Sequence, residues 1–343
     1  MSKGRERNRQ RAIARNQRVK PWGELPRGYS PSEGVFLIDK DQGVTSHDVV
    51  GAIRRLGATR QVGHAGTLDP MATGLLIIAT GRTTKLIQYL VGAEKTYTAR
   101  ICLGVGSDTD DADGSLYAAA TPVVDEARID AVLADLTGDI MQVPATVSAI
   151  KVDGQRAHDL ARAGHDVELD ARPIHIHRFE RISDLTDGNV TLADVQVPTV
   201  EFDVVVTTSA GTYVRALARD LGVALGSAAH LTELRRTHIG PWNVADAVRV
   251  SDLRDVIEEG KILPSAQMDE VCRAIFPVIA VDDADESALT SGMFIDRREP
   301  ISRGARTEAW PAAAFNADRP VALVSPRAGM LKPDLQLAPQ PRG

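Results

Sequence analysis

Gly63-His64-Ala65-Gly66-Thr67-Leu68-Asp69-Pro70-Met71-Ala72-Thr73-Gly74 sets one carboxylate in a loop that is stiff on one side and pliable on the other. Gly63, Gly66 and Gly74 permit backbone conformations that other residues resist. Pro70 fixes its own φ and drives Asp69 toward an extended conformation. The Leu75-Leu76-Ile77-Ile78-Ala79 run that follows is short and apolar, the pattern of a buried strand. Asp69 is therefore expected just ahead of a core strand, a mount suited to a catalytic group. The plainer alternative is a turn aspartate bonded to its own backbone, a common use of the residue. Pattern alone leans toward that alternative.

Bulk properties narrow the class. A chain of 343 residues has room for a large domain and a smaller one. Its 43% hydrophobic content suits a soluble globular protein with a sizeable core. No apolar run approaches the length of a membrane span, and the basic N-terminus lacks the apolar segment of a secretory signal. A cytoplasmic location is expected. Cys102 and Cys272 are the only cysteines, expected buried and reduced. No cysteine–histidine spacing suggests zinc. The net charge of -6 argues mildly against a nucleic-acid partner, but charge distribution matters more than the sum. Lys3, Arg5, Arg7, Arg9, Arg11, Arg15, Arg18 and Lys20 make residues 1–30 a basic tail, expected to be disordered. It is either a phosphate-seeking arm or a solvated extension.

Periodicity places the elements. Residues 34–40 read as a strand, and Thr45 or Ser46 caps a helix through Leu56. Residues 83–90 read as a short helix, 125–136 as an amphipathic helix, 148–152 as a strand and 155–163 as a helix. Residues 96–103 and 199–207 alternate as strands. Residues 213–225 read as a helix with Arg215 in its first turn, the less favourable end for a cation unless a carboxylate lies close. Leu231, Leu234 and Ile239 belong to a later edge. From about 265 the character changes toward a small separate domain, and the residues after Leu331 look disordered. The run Asp108 to Gly114 invites a calcium loop, yet Gly114 in the sixth position puts Ala120 where a bidentate Glu belongs. It reads as an acidic turn, with a metal-dependent hydrolase as the competing idea, testable with a chelator. His175 and His177 share a strand face but are too few to hold a metal.

Five stretches, in order, carry a resemblance. They are residues 34–40 with Thr45-Ser46; the opening glycine-rich loop; Lys95-Thr96-Tyr97; Ser148-Ala149-Ile150-Lys151 with Ala171-Arg172-Pro173-Ile174; and Gly211-Thr212-Tyr213-Val214-Arg215, followed by residues 230–236. Over residues 34–260 the chain resembles the TruB family of tRNA pseudouridine-55 synthases. One departure is that Pro144 is followed by Ala145 where the family has a proline pair. The resemblance implies an α+β fold: a mixed, mainly antiparallel sheet flanked by helices, with a small C-terminal PUA-like β-rich domain. It implies a catalytic domain over 31–264, an RNA-gripping thumb over 144–173, and RNA binding by 265–335. The implied activity converts uridine 55 in the T-arm loop of tRNA to pseudouridine, by a monomer, without cofactor or metal. Asp69 would be the nucleophile, Arg215 its partner, and Tyr97 the platform for a flipped base, where an aromatic is what the chemistry needs. His64 would prop the vacated stack, Tyr213 would shape the pocket, Leu234 would lie beside the base, and Lys85 and Lys151 would meet phosphates. Tyr97 is otherwise a core residue and His64 a turn histidine. A non-catalytic RNA-binding or tRNA-folding protein on the same scaffold is the other class of function, and retention of Asp69 and Arg215 argues against it.

Overall fold

The computed structural model of the chain describes residues 20–29, 32–120, 123–145, 151–152, 155–156, 169–305 and 310–338. Strand β1 (Gly34–Lys40) leads into helix α1 (Ser46–Leu56). Thr45 is the cap: its hydroxyl accepts from the Asp48 amide while the Asp48 carboxylate accepts from the Thr45 amide. This reciprocal pair satisfies donors that a first turn leaves open. Val49, Val50, Ile53 and Leu56 form the buried face of α1, as their spacing predicts. β2 (Val62–His64) and β3 (Thr73–Thr80) bracket the Asp69 loop. A 3-10 segment (Gly81–Leu86) and helix α2 (Ile87–Val91) take the place of the single helix expected over 83–90.

β4 (Lys95–Leu103) is followed by the hairpin of β5 (Val105–Ser107) and β6 (Leu116–Ala118). Helix α3 (Glu126–Asp135) is capped by Asp125, and β7 (Gly138–Gln142) follows. β8 (Lys151–Val152) pairs with β9 (Gln155–Arg156), so residues 155–156 are strand where a helix start was expected. Of the expected thumb, residues 146–150, 153–154 and 157–168 lie outside the described residues. Next come β10 (Arg172–Arg181), β11 (Thr186–Leu192), β12 (Val195–Thr208), α4 (Val214–Ala224), β13 (Ala229–Ile239), β14 (Trp242–Asn243), α5 (Val250–Glu258) and α6 (Met268–Ile275). The chain ends in β15 (Val278–Ala280), α7 (Asp283–Thr290), β16 (Ile295–Asp296), β17 (Ala312–Asn316), β18 (Arg319–Arg327) and β19 (Met330–Gln336).

Among the described residues the large sheet has ten strands, ordered β1-β3-β13-β4-β12-β10-β7, with β2 on β3, β11 on β12 and β14 on β13. Its pairings are antiparallel except one: β13 runs parallel to β3 at Arg235↔Thr73 and Arg236↔Gly74. β13 is thus interior rather than an edge. Its Arg235 is neutralised by a bidentate pair with Asp39. The sheet is the mixed, mainly antiparallel one of the expected α+β class.

Leu75 to Ala79 is apolar at every position because β3 is covered on both faces. Leu76 and Ile78 face the main core with α1, α3, α4 and α5. Leu75, Ile77 and Ala79 face a second core built with Val271, Phe276, Val278, Phe315 and Leu323. The C-terminal residues form their own five-stranded sheet, β15-β17-β18-β19-β16. It is β-rich and distinct, yet packed through that second core. Two boundaries move. Trp22 and Leu25 are buried in the main core, so residues 20–29 are docked rather than part of a disordered tail; residues 1–19 lie outside the described residues. The segment after Leu331 continues β19 and buries Leu337, so it is ordered through residue 338. Among the described residues no helix is long and apolar enough to cross a membrane.

Candidate active site

The Asp69 loop is pinned from several sides. The Ala65 amide donates to the Ile77 carbonyl at 3.0 Å, and the Gly43 amide to the Pro70 carbonyl at 2.7 Å. The buried Ser46 hydroxyl accepts from the Leu68 amide at 2.9 Å and donates to the Leu68 carbonyl at 3.1 Å. Ser46 is therefore not the helix cap but a brace one residue ahead of Asp69. The turn itself is closed by the Ala72 amide on the main-chain carbonyl of Asp69, at 3.2 Å. The backbone serves the turn, and the carboxylate goes elsewhere.

It goes to Arg215, whose Nε lies 3.0 Å from Asp69 Oδ2. Arg215 is the second residue of α4, close to the positive end of the helix. Two acids offset that placement. Arg215 Nη1 lies 3.1 Å from Asp111 Oδ2 and donates to the Thr109 carbonyl at 2.8 Å. One turn on, Arg219 Nη1 reaches Asp110 Oδ2 at 3.2 Å. The acidic turn is thus a clasp that holds two arginines of α4 to the β5–β6 hairpin. Asp111 Oδ1 also accepts from the Thr109 hydroxyl and the Asp113 amide. Among the described residues no three His, Cys, Asp or Glu side chains converge as metal ligands. Sequence reasoning missed the clasp, because a contact across 104 residues leaves no local signal.

The electrostatics are divided. Arg215 and Asp111 side chains are 4% and 5% exposed, whereas Asp69 keeps 38% of its side chain open to solvent. Even so, the protein packed around Asp69 makes burial the largest influence, and burial pushes its pKa above the ordinary 3.8. Arg215 and Lys40 pull it down; Asp111 and Asp113 push with burial. Arg215 therefore moderates the carboxyl without outweighing its surroundings. Lys40, nearly inaccessible, donates to the Val44 carbonyl at 2.8 Å, and burial lowers its pKa to about 8. Burial also sets Asp110 at about 6.

Tyr97 lies on β4, 7% exposed, paired in register with Val206 and Arg236. Leu234, on β13, is 6% exposed and with Met71, Thr73, Thr98 and Arg235 lines an open groove. Tyr213 caps α4 through its backbone: its amide donates to Gln142 Oε1 at 2.9 Å and its carbonyl accepts from Gln142 Nε2 at 3.1 Å. Gln142, 1% exposed, is a second brace that periodicity did not reveal. His64 ends β2; its Nδ1 is buried with no hydrogen-bond partner among the described residues. Burial first, then Arg236 and His47, lower its pKa from the ordinary 6.5. Lys85 stands apart from this group. It is exposed on the 3-10 segment and donates to the Gln336 carbonyl of β19 at 3.0 Å. Lys151 opens β8, and its side chain is outside what is described.

Known proteins resemble the chain in fold and sequence. A solved Cbf5-Nop10-Gar1 complex contains a chain of 26% identity and TM-score 0.59, covering 85% of this chain and 77% of that one. A chain in an H/ACA ribonucleoprotein bound to a substrate RNA containing 2'-deoxyuridine matches at 23% identity and TM-score 0.61, covering 89% and 85%, which speaks to fold alone. Residues 54–214 match the TruB family pseudouridylate synthase (N terminal domain), and residues 215–278 match the tRNA pseudouridylate synthase B C-terminal domain. These two family matches, which together span residues 54–278, define a pseudouridylate synthase, an isomerase. The chain belongs to the TruB family. It is 45% identical to the tRNA pseudouridine synthase B of Arthrobacter sp. (strain FB24), covering 89% of this chain and 97% of that protein. It is 46% identical to that of Mycobacterium leprae, covering 78% and 82%.

Proposed function

We propose that the chain converts uridine 55, in the T-arm loop of tRNA, to pseudouridine, with Asp69 as the nucleophile. The observation that carries this is the constellation in which solvent-accessible Asp69, on the pinned loop, is paired with buried Arg215 and through it with buried Asp111. The reaction breaks the N1–C1′ bond and joins C1′ to C5 of the same base, so every atom is retained and no net electron transfer occurs. It needs a group that attacks and later leaves, and a carboxylate has that capacity. The target base must first leave its stack, which costs a few kcal/mol. Tyr97 receives the flipped base, His64 fills the space it vacates, Tyr213 shapes the pocket and Leu234 borders it. Lys85 and Lys151 meet phosphates; Lys85 does so by exchanging its bond to Gln336.

The same proposal assigns catalysis to residues 31–264, grip on the T arm to a thumb at 144–173, and further RNA contact to a PUA-like unit at 265–335. The enzyme works as a cytoplasmic monomer. The test is mass mapping of pseudouridine in unmodified tRNA incubated with purified protein and no added cofactor. Product at position 55 from the parent, and none from Asp69→Asn at equal tRNA binding, is expected. Product elsewhere refutes the position, and substantial product from Asp69→Asn refutes the nucleophile. Binding without product from the parent itself points to an RNA-binding role alone.

A further inference from the structure

Arg236 is among the largest fully buried side chains, at 1% exposure. A buried guanidinium is costly unless its donors are used. Here they go to main-chain carbonyls at both ends of one loop. Nε donates to Leu75 at 2.7 Å, Nη2 to Gly66 at 3.0 Å, and Nη1 reaches Thr67 at 3.5 Å. Asp69 lies between those anchor points. The two left-handed glycines of the stretch, Gly66 at φ +98° and Gly74 at φ +99°, both come close to the same residue. A Cβ on Gly74 would sit 2.3 Å from the Arg236 carbonyl oxygen, and one on Gly66 would sit 3.5 Å from Arg236 Nη1. On its other side Arg236 pairs with Tyr97, and its guanidinium carbon is 6.0 Å from the Tyr97 ring centroid.

We propose that Arg236 is a positioning residue that cinches the loop from Gly66 to Leu75 and fixes its distance from Tyr97. This rests on the assignment of Asp69 and Tyr97 made above. An apolar side chain would fill the space equally well, but none could hold three carbonyls. A register shift in β13 between Arg236 and His238 interrupts the ladder with β4 just past this point, before pairing resumes at His238↔Thr96, a device that re-aims side chains near sites.

The test is Arg236→Lys, which keeps charge but loses the planar fork, with Arg236→Met to keep bulk without charge. Single-turnover conversion by Arg236→Lys should fall on the order of a hundredfold, the scale of a displacement of about 1 Å. Its tRNA affinity and KM should stay near the parent's. Amide hydrogen exchange should quicken over residues 66–75 in both variants and stay unchanged in β4 and β12. Parent-like turnover by Arg236→Lys, or unchanged exchange in the loop, overturns the proposal. Loss of tRNA binding together with global loss of exchange protection, or failure of both variants to fold, also overturns it, since Arg236 is then a scaffold residue. Absence of pseudouridine from the parent would refute the proposed function instead, and the exchange measurement would still decide whether Arg236 holds the loop.

Discussion

Asp69 and Arg215 pull against each other in a way that kinetics can read. As the proposed nucleophile, Asp69 would attack only when ionised, and its pKa is raised, chiefly by burial. The acid limb of single-turnover rate against pH should therefore lie above the ordinary carboxylate value of 3.8. Arg215 lowers that pKa, so Arg215→Gln should move the limb to higher pH. A limb that stays in place would show that the pair does not set ionisation. Stability should respond with the opposite sign at Asp69. Its folded-state pKa lies above the unfolded value, so folding favours the neutral form, and the ionised form costs stability as pH rises through the folded pKa. Asp69→Asn should then melt no lower than the parent at pH 7, while Arg215→Ala strands buried Asp111 and should cost about 3–5 kcal/mol. A clear loss of stability in Asp69→Asn would return that aspartate to the turn role. The Asp69–Arg215 pairing was foreseen through the family resemblance, together with the awkward helix position of Arg215. Asp111 was not, because a run of acids in a turn looks the same whether it faces water or an arginine.

Elements decide how rigidly the loop is held. α1 and β3 were readable because each carries its own signal: a Thr45/Asp48 capping box and apolar spacing in one, an unbroken apolar run in the other. The place of β13 was not readable, since parallel pairing with β3 depends on a crossover through the whole domain. At residues 155–156 the expected helix start, and after Leu331 the expected disorder, gave way to strand pairing, which partner strands impose. Ser46 links α1 to the loop through two hydrogen bonds with Leu68. Removing its hydroxyl leaves a buried amide and carbonyl unpaired, at a cost of about 1–3 kcal/mol for such a group. Ser46→Ala should lower the melting temperature and slow conversion with little change in tRNA affinity. A slower reaction with equally weakened binding would mean that α1 supports the RNA surface rather than the nucleophile.

At the scale of the whole molecule, the question is which parts are dispensable. The C-terminal sheet is separate in hydrogen bonding but not in packing, because Leu75, Ile77 and Ala79 of β3 share a core with Phe276, Phe315 and Leu323. Arg82 and Lys85 add bonds to the Leu337 and Gln336 carbonyls. Ending the chain at residue 264 would expose one face of the strand that follows Asp69, so the truncated protein should be insoluble or inactive. The N-terminus divides differently. Residues 20–29 bury Trp22 and Leu25 against α1, and Lys20 pairs with Asp48 at 3.0 Å. Fully burying a side chain of this size contributes about 1.5–3 kcal/mol, so deleting residues 1–27 should lower stability by several kcal/mol. Deleting residues 1–19 removes Arg5, Arg7, Arg9, Arg11, Arg15 and Arg18 and leaves that docked segment in place. The shorter deletion should melt with the parent, weaken tRNA binding most at low salt, and leave the modified position unchanged, because phosphate contacts add affinity without sequence choice. An unchanged salt dependence would deny the arm any role in binding, and a shifted modification site would show that it reads the substrate. If both deletions melt alike, Trp22 and Leu25 do not anchor the segment.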